Sequence, residues 1–352
     1  MSAPSSPRNY SLIGVESKLA EEKGLASADW YTCTIPRKRM KELMQRSDEQ
    51  AIRDTAIWLG LLVGSGLIAA ALWGSLWSVP FFLVYGVLYG SVSDSRWHEC
   101  GHGTAFRTQW MNDAVYELAC FMIMRNPTAW RWSHTRHHTD TIIVGRDPEI
   151  AVPRPAPLWR IGLNFFGLID VPVSLARMVL HAFGQLAADE ATYVPETEWN
   201  KVFRTARVWS GIYAAVILLA LLVESWLPLM LIGLPRLYGA WLHIVFGLTQ
   251  HAGLAEDVLD HRLNTRTVYM NPVLRFLYWN MNYHVEHHMY PMVPFHALPD
   301  LHEEIKADTP PPYSGLVEAY QEIIPALLQQ SQNGAYFVER PLPQAATTHS
   351  DS

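Results

Sequence analysis

From Thr55 to Ser93 the chain carries no charged residue, and that run constrains the fold more than any other feature of the sequence. A membrane crossing takes roughly 20 residues at about 1.5 Å rise each. The run therefore predicts two crossings, with the turn at Pro80 after Trp77 and Ser78. A second hairpin is expected from Val208 to Val223, through a turn at Glu224 to Pro228, into an arm from Leu229 to Gly253. The predicted spans lie at about 55–77, 80–97, 207–224 and 228–251. Arg236 falls early in the last of them and must snorkel or be paired, because an isolated charge in hydrocarbon is costly.

The remaining composition fits such an anchor carrying a polar cap. At 49% hydrophobic, 12% aromatic and 17% charged residues, the chain is apolar for a globular protein and too polar for spans alone. Its net charge of −6 is spread rather than blocked, which argues against nucleic acid as a partner. Cys33, Cys100 and Cys120 form no CxxC pair, so neither a disulfide framework nor a thiolate zinc site is expected. Residues 1–23 lack the apolar core of a secretory signal, which places the N-terminus in the cytosol.

Orientation follows from the basic residues. Arg37, Lys38, Arg39, Lys41, Arg46 and Arg53 precede the first span, and both hairpin turns lack Lys and Arg. The turns are therefore expected to face outward, leaving the stretch from Asp94 to Arg207 and everything after Gly253 on the cytosolic side. Ile161 to Leu180 is apolar but interrupted by Asp170, Pro172 and Arg177, and reads as interfacial. A full crossing there would put the histidine motifs on opposite faces. The expected fold class is thus an all-α integral membrane protein, with four transmembrane helices in two hairpins and a cytosolic helical cap. Its divisions are a cytosolic region at 1–53, a membrane domain at 54–310 and an extension at 311–352, disordered after about Pro341.

Four histidine groups stand near the cytosolic ends of these spans: His98 and His102 in HECGH; His134, His137 and His138 in HTRHH; His251 in QHAG; His284, His287 and His288 in HVEHH. Spacings of three and four place members of one box on one helical face, so their imidazoles can share an ion. Adjacent members such as His137 and His138 point apart and can serve two neighbouring ions. Nine candidates exceed the three or four protein ligands of a zinc site. Ligand type alone does not name the metal, since imidazole suits Zn, Cu, Fe and Ni.

At these boxes the chain resembles the membrane fatty-acid desaturase and hydroxylase superfamily, whose pattern is HxxxH, HxxHH and HxxHH after paired hairpins. The resemblance covers roughly residues 50–310. It implies a non-haem di-iron centre in a cytosolic cap, using O2 and two electrons to oxidise an unactivated C–H bond. It also carries over His98, His102, His134, His137, His138, His284, His287 and His288 as metal-binding catalytic residues, and His251 as the extra ligand between the second and third boxes. The stretch NTRTVYMNPVLRFLYWNMNYHVEHHMYPMVPFHALPDLH looks more like a bacterial subgroup of rhizopine-catabolism oxygenases than like acyl-CoA desaturases. That favours hydroxylation slightly over desaturation, and leaves the substrate open among lipids and small hydrophobic or polyol-type molecules. Location in a bacterial inner membrane, with the site on the cytoplasmic face and lipids as neighbours, is the corresponding expectation. No HPGG haem motif and no rubredoxin-like CxxC pair occurs in the sequence, so the electrons are expected from a ferredoxin and its reductase.

A membrane zinc hydrolase and a divalent-metal transporter are the competing readings. The first leaves most of the histidines unused, and the second wants its ligands at the bilayer midplane. Asp94, Glu99, Asp147, Glu149, Asn282 and Glu286 are candidates for orienting the imidazoles through their second nitrogen. His243 reads as a packed polar residue; His181, His261, His296, His302 and His349 read as surface or interfacial. Trp130 and Trp132 read as an interfacial belt, and Arg125, Arg131, Arg136 and Arg146 as a solvated face.

Overall fold

A computed structural model describes residues 8–343, so His349 and most of the tail expected to be disordered lie outside the described residues. Among those residues the chain is all helical, with no strand and only two isolated β-bridges, Thr267 with Tyr283 and Val268 with Tyr313. Two helices are long and apolar enough to cross a membrane, Glu49–Ala71 and Glu196–Leu222. Only 39% and 28% of their apolar windows are buried, unlike the core helices of a soluble protein. Trp58, Leu62 and Ala69 face inward on the first, while Leu61, Val63 and Leu67 are exposed. A helix apolar on every side suits a lipid surrounding.

The first hairpin turns earlier than Pro80. The first helix ends at Ala71, a turn containing Gly74 at φ 85° follows, and the return helix begins at Ser78. Pro80 thus sits in the first turn of that helix, where its missing N–H has no intrahelical partner to lose. The return helix runs Ser78–Val87, widens into a π turn at Leu88–Val92, and continues as Ser93–Gly101.

The fourth expected span is not a continuous helix. It consists of Leu227–Leu231, Pro235–Tyr238 and Trp241–His251. Pro228 and Pro235 stand at starts of pieces, and Gly233 takes φ 98°, a conformation that L side chains resist. Arg236 does not snorkel. It is 2% exposed, and its guanidinium donates to the Gly90 carbonyl in the π turn at 2.5 Å. The same turn receives the broken arm elsewhere: Ser91 Oγ donates to Gly239 O at 2.5 Å and accepts from His243 N at 2.9 Å. A π turn leaves backbone carbonyls for partners outside the helix, and here the interrupted arm uses them.

Ile161–Leu180 forms two short helices, Leu158–Asn164 and Asp170–Ala182, neither of them long enough to span. The box helices pack together over a core containing Trp97, Cys100, Tyr116, Cys120, Trp279 and Phe295; all three cysteines are free and buried. Arg96, fully buried, donates to Leu277 O at 2.6 Å and Phe276 O at 3.0 Å, which ties the first box to the segment entering the third. Leu316–Gln332 packs on Trp241–His251, with Tyr320 OH donating to Val245 O at 2.7 Å.

A Cβ added at Gly239 would meet the Gly86 carbonyl oxygen at 1.8 Å, which only separation of the two segments relieves. Gly239→Ala is expected to destabilise the protein by about 3 kcal/mol, seen as a lower thermal midpoint in detergent. Gly64→Ala, with open space around it, should instead gain up to about 1 kcal/mol. Equal midpoints for the two variants would contradict this account of the packing.

Candidate metal centre

Each box is delivered by a short helix with a defined end. His98 lies on Ser93–Gly101, and His102 is the residue that closes that helix. Pro127–Thr139 carries His134, His137 and His138; it starts at Pro127, with Asn126 Oδ1 accepting from Thr128 N and Ala129 N at 3.2 and 3.3 Å. His251 ends Trp241–His251, and His284–Met289 holds the last three.

The structure brings all nine sequence-selected histidines together in two adjoining groups. His98, His102, His134, His138 and His287 form the first, with ligand atoms all within 4.8 Å of one another. Their Nε2 atoms lie 3.2 Å apart for His98 and His134, 3.1 Å for His102 and His134, 3.2 Å for His134 and His138, 3.2 Å for His138 and His287, and 2.8 Å for His98 and His287. His137, His251 and His288 form the second group. His284 joins it, its Nε2 3.1 Å from that of His288. The adjacent pairs His137/His138 and His287/His288 divide between the groups, as side chains about 100° apart on a helix must.

The partners behind the rings fix where their protons are. His137 Nδ1 lies 2.9 Å from Asp147 Oδ2 and His134 Nδ1 lies 3.0 Å from Glu149 Oε2. His251 Nδ1 donates to the Asn264 carbonyl at 2.8 Å. Thr141 Oγ1 gives its own proton to His137 O at 2.7 Å and so accepts from His288 Nδ1 at 3.2 Å. A neutral ring with its proton on Nδ1 presents a bare lone pair at Nε2. His251 Nε2 is in fact buried with no hydrogen-bond partner. Inward lone pairs at such separations fit a cation between them, so the residues suit a metal. Two nitrogens held about 2.0–2.1 Å from one ion lie about 3.4 Å apart at a tetrahedral angle and about 2.9 Å at a right angle. The observed spacings of 2.8–3.2 Å lie below the tetrahedral value.

Comparison with known proteins agrees. The sequence model of the family described as fatty acid desaturase matches residues 74–319. The chain belongs to the fatty acid desaturase family. It is 37% identical over 75 residues to a Delta(12)-acyl-lipid-desaturase of Punica granatum, covering 20% of this chain and 19% of that one. It is 25% identical over 268 residues to a chloroplastic omega-3 fatty acid desaturase of Glycine max, covering 68% and 57%. It is 23% identical over 281 residues to the sn-2 acyl-lipid omega-3 desaturase (ferredoxin) of Arabidopsis thaliana, covering 74% and 61%. The chain thus spans less than two thirds of each of these relatives.

Not every candidate for orienting the imidazoles does so in this family member. Asp147 and Glu149 bond to box histidines, and Glu99, completely buried, has Oε1 3.6 Å from His287 Nδ1. Glu286 turns away to His302 and Thr267, Asn282 donates to Val268 O, and Asp94 pairs with His243 at 2.8 Å and Arg125 at 3.6 Å. Thr141 and the Asn264 carbonyl were not singled out in the sequence; the only signal for Thr141 is its position three residues past His138.

Several expectations of exposure are corrected. His181, His261 and His302 are each 2% exposed. His181 binds Glu190 at 2.7 Å and His302 binds Glu286, acceptors that offset their desolvation, and His261 stacks on Trp30. Trp130 is half-buried and packs edge-on to Trp97 at 5.3 Å. Arg125 is not on a solvated face but lies over the Trp130 ring at 4.0 Å. Trp97, Arg125, Trp130 and His181 line a cavity of about 510 Å³ beside the first group, together with Asp94, Met178 and His243.

Glu149→Gln and Asp147→Asn should each weaken metal affinity about 10–100-fold in competition with a chelator, whereas Glu286→Gln should leave it unchanged. Equal affinities in all three variants would refute the assigned partners.

Burial, reinforced by neighbouring imidazoles, holds His102, His134, His138, His284, His287 and His288 well below the usual 6.5. Burial lowers His137 too, but the Asp147 carboxylate outweighs it and the net direction is upward. Below about pH 6.5 the unfolded chain binds protons at the six depressed rings while the folded chain does not. The thermal midpoint of the metal-free protein should therefore fall from about pH 7 to about pH 5. A flat or rising profile would contradict the neutral state of these rings.

Proposed function

We propose that the chain is a membrane-bound, O2-dependent oxidoreductase of the desaturase type that holds two iron ions in its paired histidine groups. The convergence of nine buried or half-buried imidazoles into groups of five and four carries this reading, and family membership supports the reaction class. When bound, the ion pair would supply O2 reduction and attack on an unactivated C–H bond. The protein's own residues do the rest. His98, His102, His134, His138 and His287 would hold one ion; His137, His251, His284 and His288 would hold the other. Asp147, Glu149, Thr141 and the Asn264 carbonyl keep the Nδ1 protons on the outer side, so that Nε2 stays free to bind. Trp97 and Trp130 cover the cavity beside the first group and limit water there.

The same reading places four spans in the bilayer at residues 54–310, flanked by a cytosolic N-terminal region and a C-terminal extension. The two long apolar helices support two of them, and Ser78–Gly101 with the segmented arm to His251 would supply the others. The box helices would then form a cap on the cytoplasmic face, in a bacterial inner membrane. Exposed Trp159 and Val179 on the two short helices, with Phe166 and Phe183 just past their ends, support their lying at the lipid interface. A relative printed as ferredoxin-dependent supports ferredoxin and its reductase as the electron source.

Hydroxylation of a substrate bearing a polar group is the second reading. It is favoured by the cavity wall, where Asp94, Arg125 and His243 form an ion-paired cluster within reach of His98. A zinc hydrolase or metal transporter would leave the fivefold group without a use.

Metal analysis of the purified protein should find two irons per chain rather than one zinc. With a ferredoxin system, O2 and candidate lipids or polyols, mass spectrometry should show oxygen-dependent loss of two hydrogens or gain of one oxygen. His287→Ala should reduce that product to below about 1% of wild type, since losing a ligand costs more than losing its outer partner. Identical products from wild type and variant would overturn the proposal.

A further inference from the structure

Trp30 lies partly exposed in the segment leading to the basic helix Arg37–Leu43. Its indole is stacked flat on the imidazole of His261, with centroids 4.2 Å apart and planes 5° from parallel. The His261 ring is in turn 5.1 Å from that of His288, a member of the second histidine group. Trp30 Nε1 donates to Thr139 O at 3.1 Å, immediately after the second box, and this fixes the indole. The same segment is bonded to the third box: Cys33 N donates to Met289 Sδ at 3.2 Å, and Tyr290 OH donates to Cys33 O. His261 belongs to neither histidine group, and its Nδ1 is buried with no hydrogen-bond partner. A Phe or Leu would fill that space without the desolvation cost of a bare nitrogen, so packing alone does not account for a histidine there.

We propose that Trp30 is the entry point for electrons, which cross the Trp30–His261 stack to His288 from a small acidic iron–sulfur protein docked over this face; the inference rests on the metal-centre reading above. The stack is a continuous π path from the surface to the histidine groups, and such a path shortens the through-space gap an electron must tunnel. The partner's charge follows from Arg37, Lys38 and Lys41, which are exposed and have no acidic partner among the described residues. Arg37 and Lys41 border an open cleft of about 670 Å³ shared with Thr32, Cys33 and Tyr290, and a basic rim of this kind steers an acidic protein. In each crossing one carrier cluster loses an electron and is oxidised, and one metal ion gains it and is reduced. No bond forms or breaks, and Trp30 and His261 are left unchanged. Two crossings deliver the two electrons required.

The test uses the full chain in detergent, with reduced plant-type ferredoxin as the protein donor and dithionite as a small reductant that needs no docking. Stopped-flow absorbance should show ferredoxin-driven reduction slowed by about tenfold or more in Trp30→Ala and nearly retained in Trp30→Phe, with dithionite reduction unchanged in both. Asp29 is exposed beside Trp30 and the native cysteines are buried, so Asp29→Cys carrying a bulky maleimide adduct should block ferredoxin without disturbing the stack. If Trp30→Ala loses iron, this labelled variant decides alone. Unchanged ferredoxin-driven rates in the labelled variant overturn the proposal. If wild type has no centre that dithionite reduces, the metal reading fails instead. Binding of oxidised ferredoxin to the labelled and unlabelled protein then judges the docking face, and equal Kd values reject it. Charge reversal at Arg37, Lys38 and Lys41 should weaken ferredoxin binding; if it weakens only adhesion to anionic vesicles, the basic helix serves lipid and the acidic partner is rejected.

Discussion

Imidazole nitrogens facing one another at 2.8–3.2 Å with their lone pairs inward repel, and a cation between them converts that repulsion into coordination. The arrangement of the helices around the site answers to this condition. Holding lone pairs inward requires protons outward, so acceptors must stand behind the rings: two carboxylates, a threonine oxygen and a backbone carbonyl. Burial then keeps the rings neutral, which is the form that binds metal. Inward lone pair, outer acceptor and dry surrounding thus answer one requirement together.

The scaffold meets a second requirement, which is to bring chain segments almost two hundred residues apart to one place without leaving buried polar groups unpaired. The π turn at Leu88–Val92 is central to that. Its Gly90 carbonyl takes the guanidinium of Arg236 and its Ser91 hydroxyl bridges Gly239 and His243. The interruption of the fourth arm, which in isolation would strand carbonyls and a charge, is thereby satisfied by the neighbouring helix. Gly86 and Gly239 allow the close approach. Arg96 performs the complementary task at the other end of the same helix, where it ties the first box to the carbonyls of Phe276 and Leu277.

Much of this was legible because the governing patterns are local. An uncharged run marks a long apolar helix, and histidines three or four apart share a helix face whatever surrounds them. Spacing gave the grouping within each box and the division of adjacent histidines between groups, whereas the ligand role, and His251 altogether, came from the resemblance to the desaturase superfamily. What was not legible depends on partners far away in sequence. His302 reads as a surface residue until Glu286 is seen beside it, and His261 until Trp30 is. Gly233, Pro235 and Gly239 all stand within the arm expected as a continuous span, and how they break it depends on the segments packed against them. The charge of Arg236 was the correct warning, and its resolution by pairing required knowing that a π turn lay opposite.

Asp94 and His98 stand four residues apart on one helix and face different surroundings. His98 faces the other imidazoles, and Asp94 joins Arg125, His243 and the Trp97 indole in the cavity wall. One helical turn therefore sets both the ligand geometry and the polarity that an incoming molecule meets. Because Asp94 touches no box histidine, the wall can vary in charge while the metal groups keep their geometry.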